Sequence, residues 1–216
     1  MVEDMTGPSD IEAITGERLG ERLRELRVRS GMSLRALARE LGISASAVSQ
    51  IERGTMRPSV SRLIAYVSAI GVPLAAVFDE KAEEAPREDG REGASGDGAP
   101  EEGRRFAIRR AWEVAPITLG GGVTFRRLSP VPTDGVEFFE STYPPRAVSA
   151  EHGRFLRHEG YEVGTVTRGE LTIEFETEVV TLAEGDSITF PCSRPHIIGN
   201  RSATVTAVAT WLIVHT

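Results

Sequence analysis

The sequence is short of cysteine and of long apolar runs, and each shortage excludes a class of protein. Its single cysteine, Cys192, excludes a framework of disulfides within the chain. No stretch approaches the roughly 18 consecutive apolar residues of a membrane-spanning helix, so we expect no membrane partner. Residues 1–10 are acidic and polar, whereas a secretory signal is basic and then apolar. We therefore expect a cytoplasmic protein.

Lysine is nearly absent too, because Lys81 is the one lysine among 25 basic residues. Arginine suits phosphate and guanine recognition, since its planar guanidinium donates two parallel hydrogen bonds. A genome-wide preference for arginine codons would produce the same composition, so this feature decides little by itself.

The net charge of −7 argues against a nucleic-acid binder until its distribution is considered. Residues 16–80 carry ten basic and seven acidic side chains, whereas residues 81–103 carry three basic and eight acidic ones. Residues 1–15 carry four acidic side chains and no basic ones, and residues 104–216 are nearly balanced. The excess of positive charge therefore falls in the segment 16–80.

Segment 81–103 separates two halves with different patterns, and it contains no large apolar side chain. It cannot bury enough surface to offset its ordering entropy, so we predict a flexible acidic linker there and a disordered tail over 1–15. Before the linker, apolar residues recur with helical period. After it, short runs rich in Val, Thr, Ile and Phe are broken by Gly and Pro, which is typical of a β-sandwich or barrel.

The fold class predicted is therefore a multidomain chain, first all-α and then all-β. The β half, residues 104–216, is predicted to contain nine short strands. They are expected at residues 105–110, 123–128, 136–143, 162–168, 170–176, 179–182, 187–190, 196–200 and 204–214.

Residues 34–53 have the pattern of two short helices joined by a glycine turn. Ser33 and Ser44 are placed to cap these helices by accepting hydrogen bonds from free backbone amides. Gly42 stands where the first helix would end in a left-handed conformation, and Ala38 is small where the helices must cross. This arrangement is typical of a helix-turn-helix.

Three more helices are expected around this motif, at residues 18–29, 60–70 and 73–78, the last begun by a proline. The whole stretch 22–78, with SQIERG followed by Pro-Ser and a helix, resembles the five-helix DNA-binding domain of the Cro/C1-type phage-repressor family. The resemblance implies that residues 16–80 bind double-stranded DNA. A helical protein–protein module is the alternative for this segment.

In such domains the second helix of the motif lies in the major groove, with its first residues facing the base edges. Gln50 can form two hydrogen bonds with adenine, and Ala45 can contact a thymine methyl group. Three serines address bases or phosphates less specifically, and three arginines are candidate phosphate clamps. These six residues are Ser44, Ser46, Ser49, Arg35, Arg53 and Arg57. Each arginine could instead be simply solvated, or pair with Glu40 or Glu52.

The β half contains HEGYEVGTVTRGEL, from residue 158, and LAEGDSITFPCSRPHIIGN, from residue 182. The first segment leads to Gly169, and the second turns at Gly185-Asp186. Together they resemble the two motifs of the cupin family, which implies a small cupin-type β-barrel. Many cupins hold a divalent metal, and the resemblance places its ligands at His158, Glu162 and His196. Leu156 occupies the position of a further family histidine, so the set is one ligand short.

Residues four apart on an extended strand share a face, so His158 and Glu162 converge if the backbone stays extended, with His196 supplied by a neighbouring strand. Two histidines and a carboxylate also make the facial triad of non-haem iron oxygenases. The three residues could instead be a hydrogen-bonded polar lining that binds an organic ligand directly. Cys192 is expected to be a small buried hydrophobic residue rather than a sensor.

The order of helix-turn-helix, linker and cupin resembles a group of bacterial regulators, and the cupin half is similar to that of the putrescine-pathway repressor. This implies a transcriptional regulator, not an enzyme, whose barrel senses an unknown small-molecule effector. We expect a homodimer that places two recognition helices about 34 Å apart on a palindromic operator. Carboxylates that could meet an ammonium group are Glu140, Glu159 and Glu162, although surface acids are usually just solvated.

The same domain order occurs in mononuclear iron oxidases that act on phosphonates through a His-Glu-His triad, so an enzyme is the second hypothesis. The polar residues expected on the recognition helix favour DNA binding instead. An interaction module with neither activity is the third. The sequence leaves open the operator, the effector, the metal and whether transcription is activated or repressed.

Overall fold

The computed structural model describes residues 15–78, 106–150 and 153–215, which form a helical domain followed by a β domain. Its α-helices are α1 (Gly16–Arg29), α2 (Leu34–Glu40), α3 (Ala45–Glu52) and α4 (Val60–Ala69). Residues 1–14 of the predicted tail and the whole predicted linker, 81–103, lie outside the described residues. Within the described ranges, no helix is long and apolar enough to cross a membrane.

The helix ends follow the local sequence closely. The Ser33 hydroxyl accepts a hydrogen bond from the Ala36 amide at 3.1 Å, and the Ser44 hydroxyl accepts one from the Ala47 amide at 3.0 Å. Gly42 has φ +63°, the left-handed conformation that ends the first helix of the motif. The two predicted caps and the predicted glycine turn are confirmed.

The helical domain has four α-helices, so the prediction of five was wrong. The segment expected as the fifth forms one turn of 3-10 helix, Leu74–Val77. Its backbone bonds join residues three apart, from the Ala76 amide to the Pro73 carbonyl and from the Phe78 amide to the Ala75 carbonyl. Four residues are too few to build a ladder of bonds between residues four apart, which an α-helix needs.

The β domain consists of two antiparallel sheets. Its strands are β1 (Ile117–Thr118), β2 (Thr124–Arg127), β3 (Val136–Tyr143), β4 (Tyr161–Arg168), β5 (Glu170–Phe175), β6 (Val179–Ala183), β7 (Ser187–Pro191), β8 (His196–Gly199) and β9 (Ala207–Val214). One sheet has the order β1-β2-β3-β9-β4-β7, and the other has the order β6-β5-β8.

The predicted closed barrel was wrong, because no ladder joins the two sheets in the part of the chain that the structure describes. The chain leaves the larger sheet at the end of β4 and enters the smaller one at β5, turning at Gly169 with φ +73°. It returns through Gly185, between β6 and β7, but these two strands pair with other partners. The result is a pair of sheets connected by glycine corners.

Eight of the nine predicted strands are present, and the one predicted at 105–110 was wrong. Residues 106–110 form no strand, and Phe106 and Ile108 are 65% and 61% exposed. Their alternation with polar residues looks like a strand, but the described residues offer this segment no pairing partner. The two-residue strand β1 was missed because it is too short to show any alternation.

The helical domain is docked onto the β domain through α4 and the loops beside it. The Ser61 amide donates to the Ser149 carbonyl at 2.9 Å, and the Gly120 amide donates to the Pro58 carbonyl at 2.8 Å. The rings of Phe78 and Phe139 lie 5.6 Å apart between centroids. The buried residues of both domains form one continuous hydrophobic cluster, so α4 closes one side of the β domain.

Candidate functional site

The residues predicted to read bases lie together at the start of α3 and on its outer side. Ser44, Ser46 and Gln50 are exposed, and Ala45 and Ser49 are half-buried. The opposite side of the helix is buried through Val48 and Ile51, as the helical period predicts. We call these five outward residues the base-reading face. The interdomain hydrogen bonds described above leave this face uncovered.

The three arginines predicted to clamp phosphates are also exposed. Arg35 precedes the base-reading face, and Arg53 and Arg57 follow it. Among the residues that the structure describes, none of the three guanidinium groups has a hydrogen-bonded or ion-pair partner. The alternative in which Arg53 or another of them pairs with Glu52 is wrong, because Glu52 is buried and held by other side chains.

Glu52 belongs to a buried network that the sequence analysis missed. Arg27 donates two hydrogen bonds to its carboxylate, from Nε at 2.6 Å and from Nη2 at 2.8 Å. The Tyr66 hydroxyl donates to the same carboxylate at 2.7 Å. The hydrogen bond with Glu52, opposed by burial, raises the pKa of Arg27 above its ordinary value. A signal was present, since Arg27 follows Leu19 and Leu23 at intervals of four on the inner side of α1.

The three predicted metal ligands meet inside the β domain. Glu162 Oε1 lies 3.0 Å from His158 Nε2 and 3.7 Å from His196 Nε2, and all three ligand atoms lie within 4.8 Å of one another. Ligand atoms that lie about 2.1 Å from a shared metal ion are about 3–3.5 Å apart in tetrahedral or octahedral geometry. The triad, as we call these three residues, is therefore close to the spacing that a divalent metal requires.

The other ring nitrogens of the two histidines are held by backbone carbonyls. His158 Nδ1 lies 3.0 Å from the Glu159 carbonyl oxygen, and His196 Nδ1 lies 2.9 Å from the Arg194 carbonyl oxygen. A carbonyl accepts only, so each Nδ1 carries the proton and each Nε2 of a neutral ring presents a lone pair. Two lone pairs and a carboxylate oxygen then converge, an arrangement that needs a proton or a metal ion between them.

The imidazole of His158 favours its protonated form. Burial lowers the pKa of His158, but the hydrogen bond that His158 donates to Glu162 and the negative charge of Glu162, with smaller help from the Glu159 carbonyl, outweigh that effect. The pKa of His158 is therefore raised above its ordinary value. Without a metal, a proton on His158 supplies the positive charge beside Glu162.

The backbone reaches this geometry in a different way from the one predicted. His158 precedes β4 and Glu162 lies within it, and the chain bends between them at Glu159 and Gly160. Gly160 has φ +93°, and a Cβ there would stand 2.3 Å from the Val214 carbonyl oxygen. The backbone does not stay extended between them, and a glycine bend brings the two side chains together instead.

Leu156 explains why the triad has three members rather than four. Its backbone pairs with that of His196 through two hydrogen bonds, 3.0 and 2.9 Å long. Its buried side chain lines the same interior cavity as Glu162 and His196. An apolar wall therefore stands where a further ligand would be, and a metal bound by the triad would keep open coordination positions.

The interior cavity beside the triad is very small. It has a volume of about 20 Å³, and Val60 and Ile64 of α4 close it from the helical domain. Tyr143 and Trp211 supply part of its wall from the sheets. Such a volume holds one water molecule or one ion. An organic molecule does not fit in this interior cavity.

The other polar residues considered in the β domain lie outside the triad. Glu140 is half-buried and bonded to Arg126 at 2.7 Å, and Glu159 is exposed. Cys192 is fully buried, and burial raises the pKa of its thiol to about 12. The expectation of a buried cysteine is confirmed.

Comparison with known proteins agrees with the two domains seen in the structure. Residues 23–77 match the family model described as helix-turn-helix, and residues 139–213 match the model described as cupin domain. The chain therefore contains a helix-turn-helix domain of the Cro/C1 type followed by a cupin domain.

Among individual proteins, the chain is similar to the HTH-type transcriptional regulator PuuR of Escherichia coli (strain K12). The two are 27% identical over 186 residues, which cover 85% of this chain and 88% of the relative. A crystal structure of an HTH_3 family transcriptional regulator from Vibrio cholerae has the same fold, with TM-score 0.63 and 20% identity over 93% of this chain and 97% of that one. Hydroxypropylphosphonic acid epoxidase from S. wedmorenis aligns with TM-score 0.44 and 17% identity, covering 93% and 99% of the two chains.

Proposed function

We propose that this protein is a transcriptional regulator that binds a palindromic DNA operator through α3 and responds to a small molecule at its β domain. The observation that carries the proposal is the base-reading face, which is exposed and flanked by three arginines without partners in the described residues. Gln50 is proposed to read adenine, and Ala45 a thymine methyl group. The serines and arginines position the helix on the phosphates. The similarity to PuuR, named as a transcriptional regulator, supports this function.

A mobility shift on the DNA upstream of the protein's own gene tests DNA binding. We expect Gln50→Ala to weaken operator binding by about 1–3 kcal/mol and to relax specificity at one base pair. Arg53→Ala is expected to weaken binding to all sequences alike and to reduce the salt dependence. Arg168→Ala, an exposed arginine on β4, is the matched control. No shift even at low salt would contradict the proposal and leave an interaction module as the better hypothesis.

A homodimer is part of this proposal, since two recognition helices are needed to occupy two half-sites. An apolar row on the outer side of the larger sheet supports it. Phe138 pairs with Leu212, which pairs with Val163, and the first and last are 37% and 38% exposed. Two exposed apolar side chains on either side of the half-buried Leu212, across three strands, mark a candidate interface.

Sedimentation tests this interface directly. Val163→Glu places a charge at the end of the apolar row and is expected to convert dimer to monomer and to weaken operator binding. Thr167→Glu adds the same charge to an exposed position of the same strand and is expected to leave the dimer unchanged. A wild-type monomer, both free and with operator, would exclude the dimer.

The triad is proposed to hold one divalent metal ion through the Nε2 atoms of His158 and His196 and a carboxylate oxygen of Glu162. A bound ion would supply a Lewis-acidic centre. The chain's own contribution is to hold both imidazoles in one tautomer through backbone carbonyls. Leu156 leaves the ion short of one protein ligand.

A mononuclear iron oxidase is the second candidate, because a His-Glu-His set is a facial triad. The interior cavity of about 20 Å³ has no room for a substrate on the inner side of the triad, and the similarity to the transcriptional regulator PuuR supports the regulator. Iron analysis with oxygen-uptake measurements decides between them. Stoichiometric iron together with substrate-dependent oxygen consumption would establish the enzyme.

A further inference from the structure

A cleft at the junction of the two domains offers the space that the interior cavity lacks. The junction cleft has a volume of about 560 Å³, within the range of about 300–1,000 Å³ typical of small-molecule sites. Ile64 of α4 and Ile213 of β9 line both spaces and separate them. His158 also lines the cleft, so an occupant would lie against the outer side of the triad.

The two walls of the cleft differ in chemistry. The helical domain supplies mainly aliphatic groups, among them Ile64, Val72 and Leu74. The β domain supplies charged groups, among them Arg157 and Glu159. A ligand with a hydrocarbon part and a charged part can therefore satisfy both walls at once, and it would contact both domains.

Arg157 and Glu159 lie on the outer side of the segment that carries the triad's first histidine. Exposure alternates along this segment. Leu156 is buried and the side chain of His158 is nearly buried. Arg157 and Glu159 are exposed. The two charged residues are two positions apart, and both line the cleft. Within the described ranges, neither charged side chain has a hydrogen-bonded or ion-pair partner.

One unpartnered guanidinium and one unpartnered carboxylate at this spacing are complementary to a ligand that carries both charges. A guanidinium binds a carboxylate through two parallel hydrogen bonds, and a carboxylate accepts from an ammonium group. We propose that the junction cleft binds a small zwitterion, an α-amino acid with an aliphatic side chain. Its carboxylate meets Arg157, its ammonium group meets Glu159, and its side chain packs against Ile64, Val72 and Leu74.

Binding in the cleft would change how the two domains sit against each other, since the ligand adds contacts to both walls. A ligand shifts the population towards the arrangement that it binds better. The operator would then be bound by one arrangement more tightly than by the other. This regulatory part rests on the function proposed above, whereas the binding site itself does not.

Titration calorimetry on the full chain tests the site with three matched probes: L-leucine, the carboxylate 4-methylpentanoate and the amine 3-methylbutylamine. We expect L-leucine to bind and each singly charged analogue to bind at least about tenfold more weakly, since each loses one charged contact. L-valine and L-alanine cover smaller side chains. Binding of the amine as tightly as L-leucine would overturn the proposal. So would no binding of the three amino acids at 10 mM, a concentration about tenfold above a Kd of 1 mM.

Two variants assign the charged contacts. Arg157→Gln is expected to weaken L-leucine and 4-methylpentanoate but not the amine, and Glu159→Gln is expected to weaken L-leucine and the amine but not the carboxylate. Arg168→Gln changes an exposed arginine outside the cleft and is expected to change nothing. Circular dichroism melting checks that each variant is folded. Unchanged L-leucine affinity in folded Arg157→Gln would overturn the assignment.

A mobility shift with and without L-leucine separates this inference from the proposed function. Operator binding by a chain that binds none of the three amino acids overturns the inference alone. Amino-acid binding by a chain that shifts no DNA overturns the proposed function and leaves the site in place. We expect both activities, with an operator affinity that changes severalfold on addition of L-leucine.

Discussion

Two glutamates, one in each domain, are buried to the same degree but have partners of opposite character. Glu52 of the helical domain and Glu162 of the β domain are 5% and 4% exposed. Glu52 receives hydrogen bonds from Arg27 and Tyr66, which are donors. Glu162 faces two imidazole nitrogens whose partner nitrogens are already bonded to carbonyls.

The balance of donors and acceptors distinguishes a structural network from a binding site. The carboxylate of Glu52 is satisfied by the protein itself, so the network needs nothing more. The triad around Glu162 has too many acceptors and becomes satisfied when a proton or a metal ion enters. Burial of charge alone does not distinguish the structural network from the binding site, because an unpaired buried charge is costly in both.

The largest effect is expected from Arg27→Met, which leaves the Glu52 carboxylate buried without its main partner. We expect the free energy of unfolding to fall by about 3–5 kcal/mol, measured by urea denaturation. Arg24→Met, an exposed position of the same helix, is expected to change it by less than about 0.5 kcal/mol. A loss below about 1 kcal/mol in Arg27→Met would mean that the network is not needed for folding.

Replacing both partners of the buried ion pair tests the cause of this loss of stability. The double variant Arg27→Met with Glu52→Met removes the uncompensated charge, and we expect it to be more stable than Arg27→Met alone. If the effects of the two substitutions on the free energy of unfolding simply add, the unpaired Glu52 carboxylate does not destabilise Arg27→Met.

The next effect concerns metal affinity. Glu162→Gln removes the negative ligand of the triad, and we expect Zn²⁺ or Mn²⁺ binding, measured by equilibrium dialysis, to weaken at least about a hundredfold. Glu176→Gln changes an exposed carboxylate on the same domain and is the control. Equal metal affinity in the two variants would exclude the triad as the site.

The pH dependence is expected to have opposite signs with and without metal. Because the pKa of His158 is raised, the His158–Glu162 pair stabilises the metal-free protein below the ordinary histidine value of about 6.5. That stabilisation is lost as pH rises through the raised pKa. Metal affinity should increase over the same range, because the proton on His158 competes with the ion.

Thermal melts and metal titrations from pH 5 to 9, on wild type and His158→Gln, test both pH dependences. The pH range spans the ordinary histidine pKa of about 6.5. The difference in stability between the two proteins should shrink as pH rises. A difference that grows with pH would contradict the raised pKa of His158.

The smallest effect is expected at Glu137, a third buried glutamate, which joins the domains. It accepts from the Ala75 amide at 2.8 Å and lies 3.0 Å from His215 Nε2. Glu137→Gln keeps an amide oxygen for one of these contacts, so we expect a loss of about 0.5–1.5 kcal/mol. Hydrogen exchange at Ala75 should become faster, and Glu140→Gln, which loses a partly exposed pair, should leave it unchanged.

Much of the helical domain was predictable because its signals are local. The hydroxyl caps, Gly42 and the period of Leu19, Leu23 and Leu26 each depend on residues a few positions away. The same locality explains two errors. Segment 73–78 looked like a helix but has room for a single 3-10 turn, and 105–110 had the alternation of a strand without a partner.

The candidate sites were predictable as residue sets rather than as shapes. The resemblance to cupins placed His158, Glu162 and His196, and the structure brings them together through a bend at Gly160 that the sequence pattern did not indicate. The Arg27–Glu52–Tyr66 network was missed because its members lie 25 and 14 residues apart, and nothing local links them.

The sequence by itself determined the order of an α and a β half and the helix-turn-helix, since periodicity and capping act over short distances. Its resemblance to cupins supplied the identity of the triad residues. The tertiary structure alone decided that α4 closes the β domain, that the interior holds about 20 Å³ and that the junction cleft holds about 560 Å³. Volumes and junctions depend on how side chains from distant segments pack, and that packing is set by the whole fold.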